Sequence, residues 1–148
     1  MAYHEEGGSF PTAPEALLTE WITRVITLRG GQLGELNYIF CSDEYLHAIN
    51  LAYLQHDTLT DIVTFPYAEF PLVSGDLFIS TERVADNATE FGEAYVDELH
   101  RVMIHGVLHL LGQGDKSEAD AAAMRQAEQW ALSLRTKALK EGASAGAA

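Results

Sequence analysis

His105-Gly-Val-Leu-His109-Leu-Leu-Gly112-Gln-Gly-Asp115 sets two imidazoles one helical turn apart, then a glycine, then a carboxylate. Residues four apart on a helix share a face, with Cβ atoms about 5–6 Å apart, so both rings can meet one ion. Gly112 can take the positive φ that ends a helix and turns the chain back. Asp115 then approaches from a second direction as a third ligand. Three protein ligands with a fourth position left for water describe a catalytic zinc site, one ion per chain, rather than a structural one. The same stretch places its helix. Val96, Leu99, Met103, Gly106 and Leu110 make one stripe, and Val107, Leu108 and Leu111 widen it. A helix apolar nearly all round lies in a core.

The elements around this helix (residues 96–111) follow from periodicity and caps. Pro14 opens an amphipathic segment in which Leu17, Leu18, Trp21, Ile22, Val25 and Ile26 recur at helical spacing, and Gly30-Gly31 closes it. A short N-terminal strand precedes it. Leu33 to Cys41 reads as a strand, with Leu36, Tyr38 and Phe40 alternating. Ser42 caps a helix with an acidic first turn that runs through Leu46 and Ile49 towards Leu54. Asp61 to Tyr67 is a β-branched and aromatic run stopped by Pro66, and Gly75 to Ile79 is its hairpin-like neighbour. Thr81 to Phe91 reads as a helix ended by Gly92, and Ser117 caps a last helix through Met124, Trp130 and Leu134. The expected fold class is α+β: a single domain over 1–140 with a small mostly antiparallel or mixed sheet of about four strands covered by helices. The metal site sits on the central buried helix and the turn after it. The tail, 141–148, has little to pack and is expected to fray.

Composition narrows the function. The 148 residues are 47% hydrophobic, which excludes disorder throughout and suffices for a real core. No apolar run reaches the ~18–20 residues that cross a bilayer, so no membrane partner is expected. The N-terminus has neither the basic nor the apolar region of a secretion signal. A single cysteine, Cys41, fits a reducing cytoplasm and leaves any metal to histidine and carboxylate. Nine Lys and Arg against 22 Asp and Glu give a net charge of −13. Such a chain has no long-range attraction for phosphate, so general nucleic-acid affinity is not expected. A local basic cluster or a metal can still contact one.

A lone histidine on an apolar face is more often a core residue bonded to a carbonyl. Two in register, on a helix that cannot avoid burial, call for another reason, because each unpaired polar group costs ~1–3 kcal/mol. Gly106 and Gly112 also cost about 1 kcal/mol each against alanine in a helix. Gly106 allows a close approach to the helix and Gly112 makes the turn. His4, His47, His56 and His100 read instead as surface or helix-end residues. Thr60, Asp61 and Asp76 flank the candidate strands. They either line the cleft, with Asp61 orienting a ligand or water, or satisfy local turn donors.

The ligand order resembles that of the metzincin proteases, but a peptidase needs glutamate after the first histidine as general base. This chain has Gly106 there, which cannot accept a proton. More specifically, the motif preceded by Glu98-Leu-His-Arg-Val-Met-Ile resembles the metal motif of the bacterial rRNA maturation factors, the YbeY endoribonucleases. Asn50-Leu-Ala-Tyr-Leu-Gln-His-Asp-Thr-Leu-Thr60-Asp61-Ile-Val-Thr-Phe65-Pro is similar to the family's Asn…Thr-Asp-Val-Leu-Ser-Phe-Pro segment, and Gly75-Asp76-Leu-Phe-Ile-Ser to its Gly-Asp-Ile strand. The resemblance spans about residues 33–135. It implies a cytoplasmic, zinc-dependent hydrolase that cleaves single-stranded RNA in 16S rRNA 3′-end maturation and ribosome quality control. Ribosomal RNA and components of the small ribosomal subunit are the implied partners.

Two positions depart from the family pattern. Its usual third ligand is histidine; here that position is Asp115, whose oxygen is an acceptable zinc ligand. The arginine four residues after the asparagine, implied to contact RNA, is Leu54. Losing a cation where negative charge develops removes one stabiliser, and Lys116 or Arg101 are the cations placed to replace it. The site expected is therefore His105, His109 and Asp115 on the metal, with Thr60 and Asp61 on the substrate side. No general acid or base is assigned. The alternatives are a ribosome-assembly factor with a structural metal, and a metal-dependent hydrolase, including a peptidase, of another substrate.

Overall fold

The computed structural model describes residues 1–6, 14–54 and 60–141. The strands are β1 (Ala2–Glu6), β2 (Gln32–Cys41), β3 (Ile62–Pro66) and β4 (Leu72–Ser80). The helices are α1 (Glu15–Leu28), α2 (Asp43–Leu54), α3 (Thr81–Phe91), α4 (Tyr95–Leu110), α5 (Glu118–Ser133) and α6 (Lys137–Glu141). Each expected element is present within a few residues, and α6 is an addition. His56 and residues 142–148 of the tail lie outside the described residues, as does the side chain of Leu54.

The strands form one sheet in the order β1-β2-β4-β3. β1, β2 and β4 run parallel, and β3 alone is antiparallel, paired with β4 as the hairpin expected from their spacing. The sheet is therefore mixed, not mostly antiparallel. Parallel neighbours need long crossover connections; α1 supplies one between β1 and β2, and β4 inserts between β2 and β3 after the hairpin.

Alternation along the strands divides the sheet into two faces. Leu36, Tyr38 and Phe40 of β2 and Val73, Leu77 and Ile79 of β4 bury one face against α1, α4 and Val84 of α3. Ala131 of α5 and Leu139 of α6 extend this core. The opposite face carries a smaller cluster in which Leu46 of α2 packs with Val63 and Cys41. Burying a side chain of leucine or valine size stabilises by about 1.5–3 kcal/mol, so the larger cluster dominates. α4 lies across its middle, and Tyr38 Oη donates a 2.9 Å hydrogen bond to the Met103 carbonyl, fixing the helix on the sheet. Among the described residues no helix is long and apolar enough to cross a membrane.

Candidate metal centre

The sequence of α4 splits it into two faces. Leu99, Val102, Met103, Gly106, Val107 and Leu110 are buried. Glu98, Arg101, His105 and His109, spaced three, four and four residues apart, share the other face. The helix ends in a left-handed glycine cap: Gly112 has φ +96°, its N–H donates to the His109 carbonyl at 2.9 Å, and the Gln113 N–H donates to the Leu108 carbonyl at 3.0 Å. This double bond pattern satisfies carbonyls that the helix end would orphan, and it reverses the chain. Asp115 therefore comes back beside the last turn of the helix that carries both histidines.

His105 Nε2 and His109 Nε2 are 3.1 Å apart, and Asp115 Oδ2 lies 3.5 Å from the first and 3.3 Å from the second. Tetrahedral bonds of about 2.0–2.1 Å to one metal set donor atoms about 3.3–3.4 Å apart. The triangle has that size. Three atoms bearing lone pairs at this spacing repel one another unless a proton or cation sits among them. The residues present therefore fit a divalent ion, with the side away from the triangle open.

A second set of side chains holds His105 in place. Glu128 of α5, 5% exposed, puts Oε2 2.5 Å from His105 Nδ1. A proton shared there belongs on Nδ1, which leaves the lone pair of Nε2 facing Asp115 and His109. The other Glu128 oxygen accepts from Arg101 at 3.3 Å. Arg101 donates twice to Glu98, at 2.8 and 2.7 Å, and lies 3.8 Å from Asp61. The Glu98 carboxylate, 3% exposed, holds Arg101 protonated above its ordinary range. Burial pushes the Asp61 carboxyl up, and Arg101 and His105 pull it back down.

The triangle faces a cavity of about 740 Å³ lined also by Asn50, Thr60, Asp61, Ile62, Val63, Thr64 and Lys116. Thr60 and Asp61 thus share one cavity with the three expected ligands. Thr60 Oγ1 also donates to the Ile62 carbonyl at 3.4 Å, a local turn contact. Asp76 is elsewhere, a correction to the cleft position considered for it. It sits on the sheet face away from α4, where Asn37 Nδ2 donates to it at 3.0 Å and Tyr67 Oη also donates. His100 is corrected too: it is 1% exposed, beside Trp21, and its Nδ1 is 3.0 Å from an Arg135 nitrogen. Its position five residues before His105 turns it into the core rather than to the surface. Arg101 is enclosed by carboxylates and is no free cation for a substrate, whereas Lys116 lines the cavity.

Gly106 explains its own presence. A Cβ there would overlap Leu77 Cδ2 of β4 and stand 2.8 Å from Ile62 Cδ1 of β3. The close approach is that of the sheet, and any side chain placed here must displace those two methyl ends. Glu128 was missed by the sequence reading. Its signal was a carboxylate in the inward stripe of Met124, Ala127 and Ala131.

The chain is similar to known proteins along most of its length. The family model described as "Endoribonuclease YbeY" matches residues 8–134. A curated protein of the same description from Bacteroides thetaiotaomicron is 49% identical over 135 residues, covering 91% of this chain and 98% of that protein. Another from Flavobacterium johnsoniae is 50% identical over 120 residues, covering 81% and 86%. The solution structure of a Thermotoga maritima protein matches with a TM-score of 0.66 at 25% identity, covering 90% of this chain and 88% of that one.

Proposed function

The chain belongs to the endoribonuclease YbeY family, whose members act in 16S rRNA maturation, and on that premise we propose that its metal is zinc and its substrate single-stranded precursor rRNA. It is a metal-dependent hydrolase. The observation that carries the finer reading is the triangle of His105 Nε2, His109 Nε2 and Asp115 Oδ2, with edges of 3.1, 3.3 and 3.5 Å. These three residues are the proposed ligands. When bound, a zinc ion supplies a water of lowered pKa, near 7, and polarises a phosphoryl oxygen.

The remaining steps belong to the chain itself. Glu128 accepts the Nδ1 proton of His105 and so keeps the Nε2 lone pair aimed into the cleft. Arg101 holds Glu128 from its other oxygen and so fixes that carboxylate in place. Thr60 and Asp61 form the wall that the substrate meets, and Lys116 places a cation by the phosphodiester where the family's arginine is replaced by Leu54. The partly exposed ligands and the large adjoining cavity favour catalysis over a structural metal, because structural sites are closed by four protein ligands. Gly106, which has no side chain to act as general base, speaks against a peptidase. The partners proposed are precursor rRNA and the small ribosomal subunit, met in the cytoplasm.

Cleavage of a precursor rRNA fragment, measured with and without metal for wild type and His109→Ala, tests the reading. Metal-dependent cleavage that His109→Ala abolishes is expected. Metal binding without cleavage would leave the assembly-factor alternative in its place.

A further inference from the structure

The cleft does not end at the metal ligands. Past Thr64 and His109, which line both spaces, it continues into a second cavity of about 390 Å³ walled by Pro66, Phe70 and Leu110 with Glu69 at its margin. The two arms differ in chemistry. The metal arm holds the three donors, Asp61 and Lys116; the second arm is mainly apolar, and among the described residues lining it the one carboxylate is Glu69. Phe70 is 50% exposed, with its ring tip beside Gly30 and the rest of the ring forming part of the arm's wall.

We propose that this arm is a base-binding subsite in which Phe70 stacks on the nucleobase next to the scissile phosphodiester of a single-stranded RNA. The inference rests on the nuclease reading above. The apolar walls of the arm offer a phosphate no Lys or Arg among the described residues, whereas a base is a flat, weakly polar ring that stacks on aromatic faces regardless of sequence. Sharing Thr64 and His109 with the metal cavity puts the arm directly beside the ligands. A chain with net charge −13 gains little from phosphate attraction, so stacking is the available source of affinity. It also gives a physical basis for single-strand selectivity, because a base enters the arm only when it is unpaired and turned out of the stack.

The test uses a short single-stranded RNA and two copies of it, abasic on either side of the scissile bond. Phe70→Ala should raise KM about tenfold with kcat within about threefold. Phe70→Trp should restore KM and Phe70→Leu should not. One abasic substrate should raise the wild-type KM by a similar factor and be indifferent to Phe70→Ala. Binding of the same RNAs to the metal-free variants, followed by fluorescence anisotropy, is the second readout. It separates the two ideas: a wild type that cleaves nothing yet prefers the base-containing RNA through Phe70 sinks the nuclease reading alone. Equal KM and equal binding for wild type and Phe70→Ala, with unchanged melting, overturns the subsite. So does Phe70→Leu performing as well as Phe70→Trp, which reduces the position to ordinary apolar contact.

Discussion

His105 Nδ1 and Glu128 Oε2 stand 2.5 Å apart, joining the helix that carries the ligand histidines to the next helix in the chain. The carboxylate is buried and bonded on its other oxygen to Arg101, so its position is fixed from two sides. A ligand imidazole with a fixed tautomer and fixed ring plane needs no reorganisation to bind an ion. Glu128→Gln keeps the shape but weakens the acceptor, and should lower metal affinity about tenfold; Glu128→Ala should lower it nearer 100-fold. Competition against a chromophoric chelator measures both. Unchanged affinity in Glu128→Gln would leave the carboxylate without an orienting role.

At Gly106 the side chains of β3 and β4 stand close against α4. Gly106→Ala gains about 1 kcal/mol in helix propensity against the cost of moving the buried Leu77 and Ile62 methyls, which reaches about 1–3 kcal/mol in an overpacked core. The expected result is a urea midpoint no higher than that of the wild type. Gly106→Glu, which restores the peptidase pattern, should lower the midpoint strongly by putting a charge against the sheet. A Gly106→Ala midpoint raised by the full propensity gain would mean that the two methyls move aside at no cost.

Gly112 and Asp115 act as a unit, since the positive φ of the one delivers the other. Gly112→Ala should destabilise the chain by about 1–2 kcal/mol through the left-handed backbone and weaken metal binding as Asp115 moves. Asp115→Ala should weaken the metal strongly, and Asp115→His should retain it. Titration calorimetry decides between them; an Asp115→Ala variant that binds as wild type would remove the third ligand.

Lys116 lines the cavity that holds the ligands, while Arg101 is committed to Glu98 and Glu128. Lys116→Ala should lower kcat/KM and reduce the slope of its logarithm against log salt by about 0.7, the share of one phosphate contact on a single strand. Arg101→Lys should leave that slope alone. An unchanged slope in Lys116→Ala would assign the phosphate to another group.

His100 makes folding sensitive to acid. Burial first, then the Arg135 charge, lowers its pKa from 6.5 to about 4, with Asp97 opposing. Because the folded pKa lies below the unfolded one, the unfolded chain binds the extra proton between these values. The stability contributed is complete above about pH 6.5 and is lost as pH falls towards 4, at up to about 1.4 kcal/mol per pH unit. Urea unfolding of the metal-free protein should therefore show a shallower pH slope in His100→Phe than in wild type across that window. Parallel slopes would mean that His100 titrates as it does in the unfolded chain.

Much of this protein was legible as local pattern. The helix of His105 and His109, the Gly112 stop and the Ser42 and Ser117 caps depend on residues within a few turns of one another, and the β3–β4 pairing on the short hairpin link between Pro66 and Leu72. Ser42 Oγ accepts from the Tyr45 N–H and Ser117 Oγ from the Asp120 N–H, as their positions require. Backbone geometry over one or two turns is set by the residues inside those turns, so the metal triad, itself an eleven-residue stretch, could be read directly.

Tertiary structure decided the rest. Three strands run parallel because of where α1 and β4 cross, and crossover order has no local signature. Glu128 reaches His105 across 23 residues of chain, and Arg101 is held by Glu98 of its own helix, Glu128 of α5 and Asp61 just before β3. His100 has the composition of a surface residue and the position of a core one. Whether a charge is free, paired or buried depends on which distant segment packs beside it, and that is settled only when hydrophobic burial closes the whole sheet against α4.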